Sequence, residues 1–264
     1  MILKTEAVPL RIVPYSRTSQ VVFWLTPREG RVATAIKGAC RPKSGFLGQY
    51  DLFQTCELLY YEREHDGMHV ARECAVLKPR SSLRTRWRAA ACASYVTDLA
   101  WQTCQSGPHH EAIFALLEAA LDALSEQAAC LPILFWFELR LTHLLGVAPQ
   151  FDRCAACGAA GPGPAWRCFS PVKGGLVCPA CVRKGAAKDG LAVNPGVIAI
   201  ARGWQDEDLP GMATRTRCTP AQTRDLGRIL ERFLQYHLDI DLRSRYIALD
   251  MAGLDPRAAY GETG

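Results

Sequence analysis

Residues 154–181 read CAACGAAGPGPAWRCFSPVKGGLVCPAC. Two Cys-x-x-Cys pairs, C-x2-C-x20-C-x2-C, face each other across loop and hairpin chemistry. The spacing lies at the edge of the range for four-cysteine zinc sites. Each pair can sit on a tight knuckle, so that four thiolates converge tetrahedrally at about 2.3 Å from an ion. Gly161, Pro162, Gly163 and Pro164 supply an irregular loop, and Lys173-Gly174-Gly175 supplies a hairpin turn. The expectation is a zinc ribbon in which Cys154, Cys157, Cys178 and Cys181 hold a structural Zn2+. A redox pair would open a helix in a thioredoxin-like βαβ unit, which this stretch does not show. Catalytic zinc keeps a ligand position open, whereas four cysteines close the shell. A metal-free, degenerate site is the other alternative, with Cys168 as a spare ligand. An insert of roughly forty residues rich in Gly, Pro and Ala buries too little apolar surface to fold alone, so the ion supplies its folding energy.

Upstream, residues 1–79 read as β structure. Apolar runs at Val21–Leu25, Val32–Ile36, Leu52–Leu59 and Val70–Leu77 are separated by the turn signals PYSRTS, PREG, RPKSGFLG and EHDG. That spacing predicts a small closed barrel or sandwich. The character changes at Pro79. Ser81 or Ser82 can cap a helix running toward Trp101. A second amphipathic helix is expected from Glu111 to about Gln127, with Ile113, Leu116, Leu117, Ala120, Leu121 and Leu124 on one stripe. The next, LPILFWFELRLTHLLG, is apolar nearly all round and reads as a buried central helix, with Pro132 in its first turn and Gly146 at its C-cap. Glu138 and His143 on it are expected to be paired buried polar groups or the edge of a partner groove. After the cysteines, VNPGVIAIARGW predicts a short helix. A longer one opens with Thr219 as cap and Pro220 as first residue.

The chain is therefore read as multi-domain α+β: a barrel at 1–79, a helical bundle from 80–150 and 186–249, a zinc-ribbon insert at 151–185, and a flexible tail at 250–264. Hydrophobic residues make up 49% and charged residues 22%, which suits a real core. No signal peptide and no bilayer-length apolar run is read, so a cytoplasmic protein with no membrane partner is expected. Twelve cysteines without an export signal imply one metal site and otherwise small core thiols.

The net charge of +5 permits a polyanionic partner, and its distribution is more informative than its size. In REGRVATAIKGACRPKS, Arg28, Arg31, Lys37, Arg41 and Lys43 stand against the single Glu29. Flexible basic loops on a small barrel suit a phosphate backbone, and Phe23, Trp24, Phe46, Tyr50 and Phe53 are interleaved nearby. Phe23 and Trp24 point to opposite faces, one into the core and the other free to stack a base. In KPRSSLRTRWR, Lys78, Arg80, Arg84, Arg86 and Arg88 have no acidic neighbour in sequence, and Arg84 and Arg88 are expected to share a helix face. Cations at a helix N-terminus are locally unfavourable, and a polyanion would offset that. The alternative pairs this cluster with the acidic Glu111, Glu118, Asp122 and Glu126. His65 and His69 flank Gly67, a turn residue, and are not read as a metal site; His109-His110 is read as capping and surface. No nucleophile, base and orienter assemble, and no enzymatic activity or small-molecule substrate is expected.

With these parts in order, the chain resembles the RecO family of bacterial DNA repair proteins as far as about Leu249. The likeness is carried by PYSRTSQVVFWLTPREGRVATAIKGACRPKS, by SPVKGGLVCPAC and by YHLDIDLRSR with Leu242, Arg243, Ser244 and Arg245. The resemblance implies an OB-fold barrel and a non-enzymatic, nucleoid-associated recombination mediator of the RecF-type pathway. Such proteins bind single- and double-stranded DNA, anneal complementary strands, and with RecR load RecA onto strands covered by single-strand-binding protein (SSB), whose C-terminal tail docks on the helical domain. It further implies that Lys37, Arg41 and Lys43 match the family's basic loop and that Cys154, Cys157, Cys178 and Cys181 match its zinc ligands. Cys40 stands where a basic residue is common. No motif identifies the SSB-tail pocket. An RNA- or ribosome-associated zinc-ribbon protein is the alternative, distinguished by preference for structured RNA.

Overall fold

The computed structural model describes residues 1–63, 68–127, 130–161 and 165–254. His65, Gly67, Pro162, Gly163, Pro164 and the stretch 255–264 of the expected tail lie outside the described residues. The chain divides into two compact units, Met1–Glu126 and Gln127–Gly264.

In the first unit, five strands form a closed barrel: β1 (Ile2–Pro14), β2 (Gln20–Thr26), β3 (Gly30–Ile36), β4 (Thr55–Tyr61) and β5 (Met68–Lys78), in the order β1-β2-β3-β5-β4. β3 pairs parallel with β5, while the other seams are antiparallel, and β4 returns to β1. This is the OB-fold. Alternation points Val22, Trp24, Val32, Cys56, Leu58 and Tyr60 inward, and Trp24 donates its indole N–H to the Thr34 hydroxyl at 2.9 Å. β1 bulges between Pro9 and Arg11, where a residue without an N–H cannot continue a regular ladder. β4 starts at Thr55 rather than Leu52. Phe53 takes φ 69°, a turn conformation that ends the preceding loop.

A 3-10 turn (Ser81–Arg84), α1 (Trp87–Thr103) and α2 (Glu111–Glu126) complete this unit. The helix expected from Ser81 or Ser82 begins instead at Trp87, and neither serine caps it. Ser82 gives its hydroxyl to the Ser125 carbonyl at 2.7 Å, and Arg86 donates to the carbonyls of Leu124 and Ser125, so both serve the C-terminus of α2. Both helices thus lie in the first compact unit, Met1–Glu126, tied to the barrel. At the β2–β3 turn, Gly30 has φ 63°, and a Cβ there would lie 2.5 Å from the Gln105 carbonyl. Only glycine allows this approach.

The second unit holds α3 (Cys130–Leu144), α4 (Pro179–Arg183), α5 (Pro195–Asp206), α6 (Gly211–Arg215), α7 (Pro220–His237) and α8 (Arg243–Met251), with a small sheet of β6 (Cys168–Ser170), β7 (Gly175–Val177) and β8 (Leu191–Ala192). α3 is buried almost all round and ends with Gly146 at φ 76°, whose N–H bonds His143 while Val147 bonds back to Thr142. α7 opens on the expected Thr219, which forms a capping box with Gln222. Glu138 is fully buried, and its partner is Arg245 of α8 at 2.7 Å; His143 is exposed. α8 continues to Met251, beyond the position where the tail was expected to begin.

Candidate nucleic-acid interface and metal centre

The first basic stretch is divided by a strand. Arg28 sits on the turn between β2 and β3, and Lys37 follows the far end of β3, roughly 20 Å away at about 3.3 Å per residue. Arg31 does not join the loop. Its guanidinium stacks on Trp101 at 4.3 Å and donates to the Trp101 carbonyl, and Arg11 covers the same indole at 4.5 Å. Phe23 meets Trp101 edge-on at 4.9 Å between ring centres, so it is spent on packing rather than free to stack a base. Tyr50 packs edge-on against Trp24, and Phe46 lies against the barrel core.

Lys37, Arg41 and Lys43 are all exposed on the loop between β3 and β4. That loop is pinned to the one between β1 and β2: Gly38 donates its N–H to the Ser19 hydroxyl, and Cys40 donates to the Thr18 carbonyl. This brings exposed Arg17 and exposed Tyr15 to the same end of the barrel. Among the described residues, none of Arg17, Lys37, Arg41 and Lys43 forms an ion pair. Sequence reasoning missed Arg17 because it lies some twenty residues upstream of the cluster; the signal available was the PYSRTS turn itself.

The second cluster separates further. Arg80 has a side chain only 3% exposed, held in a left-handed conformation at φ 39°. Its guanidinium donates to Asp122 at 2.6 Å, to the Phe53 carbonyl at 2.8 Å and to the Thr55 hydroxyl at 3.1 Å. Lys78 pairs with Glu118 at 2.9 Å, and Arg84 pairs with Asp51 at 2.7 Å. The acidic partners that the sequence neighbourhood lacked are supplied in space by α2 and by the end of the β3–β4 loop. Arg80 therefore braces the fold and is closed to a phosphate. Arg84 and Arg88 remain exposed but do not share a helix face, since Thr85 and Arg86 break the path between the 3-10 turn and α1.

The four cysteines do converge. Their sulfurs all lie within 4.8 Å of one another, with Cys157 and Cys178 at 3.9 Å. A tetrahedron of bonds of about 2.3 Å requires sulfurs about 3.8 Å apart, so the donor set fits one zinc-sized ion. The first knuckle turns on Gly158 at φ 74°, whose N–H bonds the Cys154 carbonyl. The second runs into α4, with Val182 bonding back to Cys178. The hairpin of β6 and β7 presents the second pair, and Gly175 is obligatory there: a Cβ would stand 2.4 Å from the Gln150 carbonyl. Burial raises the Cys154 thiol's pKa, but backbone N–H groups of Cys178, Ala156 and Cys157 outweigh it and draw the thiol down to about 6. Hydrogen bonds from Cys157 and Cys178, with burial, push Cys181 up to about 12. A bound dication would favour the thiolate form of its sulfur ligands.

An OB barrel joined in one chain to a helical unit that carries a four-cysteine ribbon defines a class of modular, two-unit protein. Residues 1–80 match the model described as Recombination protein O N terminal, and residues 84–246 match Recombination protein O C terminal. The chain belongs to this RecO family of DNA repair proteins. A DNA repair protein RecO of Moorella thermoacetica is 27% identical over 254 residues, spanning 96% of this chain and 92% of that protein. The one from Anaeromyxobacter sp. (strain K) is 31% identical, spanning 92% and 94%. That of Roseiflexus sp. (strain RS-1) is 30% identical, spanning 92% and 83%. No helix among the described residues is long and apolar enough to cross a membrane.

Proposed function

We propose that this chain is a non-enzymatic DNA-repair mediator that binds single- and double-stranded DNA through its barrel, anneals complementary strands and, with RecR, loads RecA onto SSB-covered DNA. The observation that carries the DNA contact is the cluster of exposed, unpaired cations Arg17, Lys37, Arg41 and Lys43 on two pinned loops. Two complementary strands repel through their phosphates, so a basic surface that screens both is the minimum an annealing protein must provide. Backbone contacts of this kind are indifferent to sequence, as the task demands. Arg28, Arg84 and Arg88 extend the contact surface, whereas Arg31 and Arg80 act by holding the barrel's shape. The cysteine cluster holds a structural Zn2+: the ion would be bound by Cys154, Cys157, Cys178 and Cys181 and would brace the ribbon without touching DNA. RecR and the acidic SSB tail are its protein partners in this scheme.

The test is anisotropy of a labelled single strand across a salt series. Each phosphate contact contributes about 0.7 to the slope of log affinity against log salt. Lys37→Glu/Arg41→Glu/Lys43→Glu should flatten that slope by about 2 and weaken binding at low salt. Unchanged affinity and slope would exclude the loop; tighter binding of structured RNA than of single-stranded DNA would favour the RNA-binding alternative.

A further inference from the structure

Phe23, Trp24, Phe46 and Tyr50, which the barrel sequence offers for base stacking, are engaged in packing. Phe23 leans on Trp101, Trp24 is core, and Trp101 carries the guanidinium groups of Arg11 and Arg31 against its ring. Trp87 is different. It opens α1 with 54% of its surface exposed, a large indole that no core claims. Arg88 places its guanidinium 4.9 Å from the ring centre. Arg84 is nearby in sequence with a side chain 66% exposed, and the first turn of α1 contains no acid. An exposed indole among arginines is matched in charge and shape by one chemistry, an aromatic base carried on a phosphate chain.

We propose that Trp87 is a base-stacking platform for single-stranded DNA, with Arg84 and Arg88 as its flanking phosphate contacts. This rests on the DNA-binding reading above and adds the form of DNA recognised. Bases in a duplex are already stacked on each other and offer only their edges in the grooves, so a flat indole engages an unpaired base. Stacking on an aromatic side chain contributes on the order of 5- to 150-fold in affinity per base. The contact that a phosphate would take from Arg84 is weaker: the Arg84–Asp51 pair is exposed on both sides, and such pairs contribute at most about 5-fold. Exchange of that carboxylate for a phosphate therefore costs little beside the stacking gained.

The experiment compares the full chain with Trp87→Ala and Trp87→Phe, using labelled oligo(dT) and a duplex of equal length. Trp87→Ala should weaken oligo(dT) binding by about 5- to 150-fold while leaving the salt slope and duplex affinity as in the parent. Trp87→Phe, which keeps a π face, should recover most of the loss. Oligo(dT) should also quench the parent's tryptophan fluorescence more than that of Trp87→Phe. Since the residue is exposed, matched thermal unfolding of the variants checks that the fold is intact. If the parent binds oligo(dT) and Trp87→Ala binds it equally, the platform is wrong and the basic-loop reading stands. If the parent binds no DNA even at low salt, the DNA-binding reading itself fails and the platform falls with it.

Discussion

Arg80 and Arg245 both look like surface cations in sequence, and both are interior. Arg245 lies in the LRSR stretch and is fully buried, donating from Nε to Glu138 at 2.7 Å and from Nη2 to the Gly227 carbonyl at 3.1 Å. Glu231 stands 3.7 Å from the same guanidinium, and burial raises its own carboxyl, an effect that Tyr246 and Arg245 oppose. A buried pair is weak evidence for stability as such, but removing one member strands the other. Arg245→Ala should destabilise the protein by about 3–5 kcal/mol, read from denaturant unfolding. A cost below about 1 kcal/mol would show that water reaches Glu138. Charge and spacing describe a residue's neighbours along the chain, so Arg80's partners were legible only as an alternative, among the acids of the second helix, and Glu138 only as a buried polar group whose partner was unnamed. Arg80 meets Asp122, and Arg245 meets Glu138, only after distant segments pack.

Elements with a local cause were easier to read. Thr219-Pro220, Pro132 and Gly146 mark helix ends by their own backbone chemistry, and each serves as expected. The start of α1 was misplaced because Ser82, which resembles a cap, gives its hydroxyl to the C-terminus of another helix. The β6–β7 hairpin has a brace that its own sequence does not announce. Asp189, distant in sequence, accepts from the Ser170 hydroxyl at 2.8 and 2.9 Å and from the Val172 N–H at 2.9 Å. Burial raises the Asp189 carboxyl, but the Val172 N–H and Ser170 hydroxyl prevail and hold it below the ordinary range. A carboxyl depressed in the folded state lends stability above its unfolded pKa, and that stability is lost as pH falls through the folded value. Asp189→Asn should therefore lower stability at neutral pH and flatten its dependence below about pH 4. Equal acid unfolding curves for the two proteins would remove Asp189 from the brace.

At the scale of the molecule, the two units should respond separately to loss of metal. Structural zinc supplies an apparent 10–16 kcal/mol in small metal-folded modules, about as much as a whole domain's stability. Chelation, or Cys154→Ser, should lower the melting temperature of the Gln127–Gly264 unit while leaving oligonucleotide affinity at the barrel loops unchanged. Metal content near one zinc per chain, measured before and after chelation, checks occupancy. The barrel, the helical body and the ribbon were all legible, since strand alternation, helical periodicity and paired cysteines are properties of short stretches. The tie of α2 to the barrel was legible only as an alternative. It rests on α2 delivering Glu118 and Asp122 to Lys78 and Arg80, the pairing that the sequence offered beside a polyanion.

The parallel seam between β3 and β5, together with the return of β4 to β1, has a consequence for synthesis. A ribosome releases β1, β2 and β3 first, and these can pair as a meander, but both outer edges of that meander wait for partners. β4 and β5 are complete only when Lys78 has emerged, 42 residues after Ile36. At 5–20 residues per second that interval is roughly 2–8 seconds. For its duration the nascent chain carries two unpaired strand edges, the form in which β proteins are most prone to pair with the wrong neighbour. The closed barrel is protected once made, and its hazard is confined to those seconds of translation.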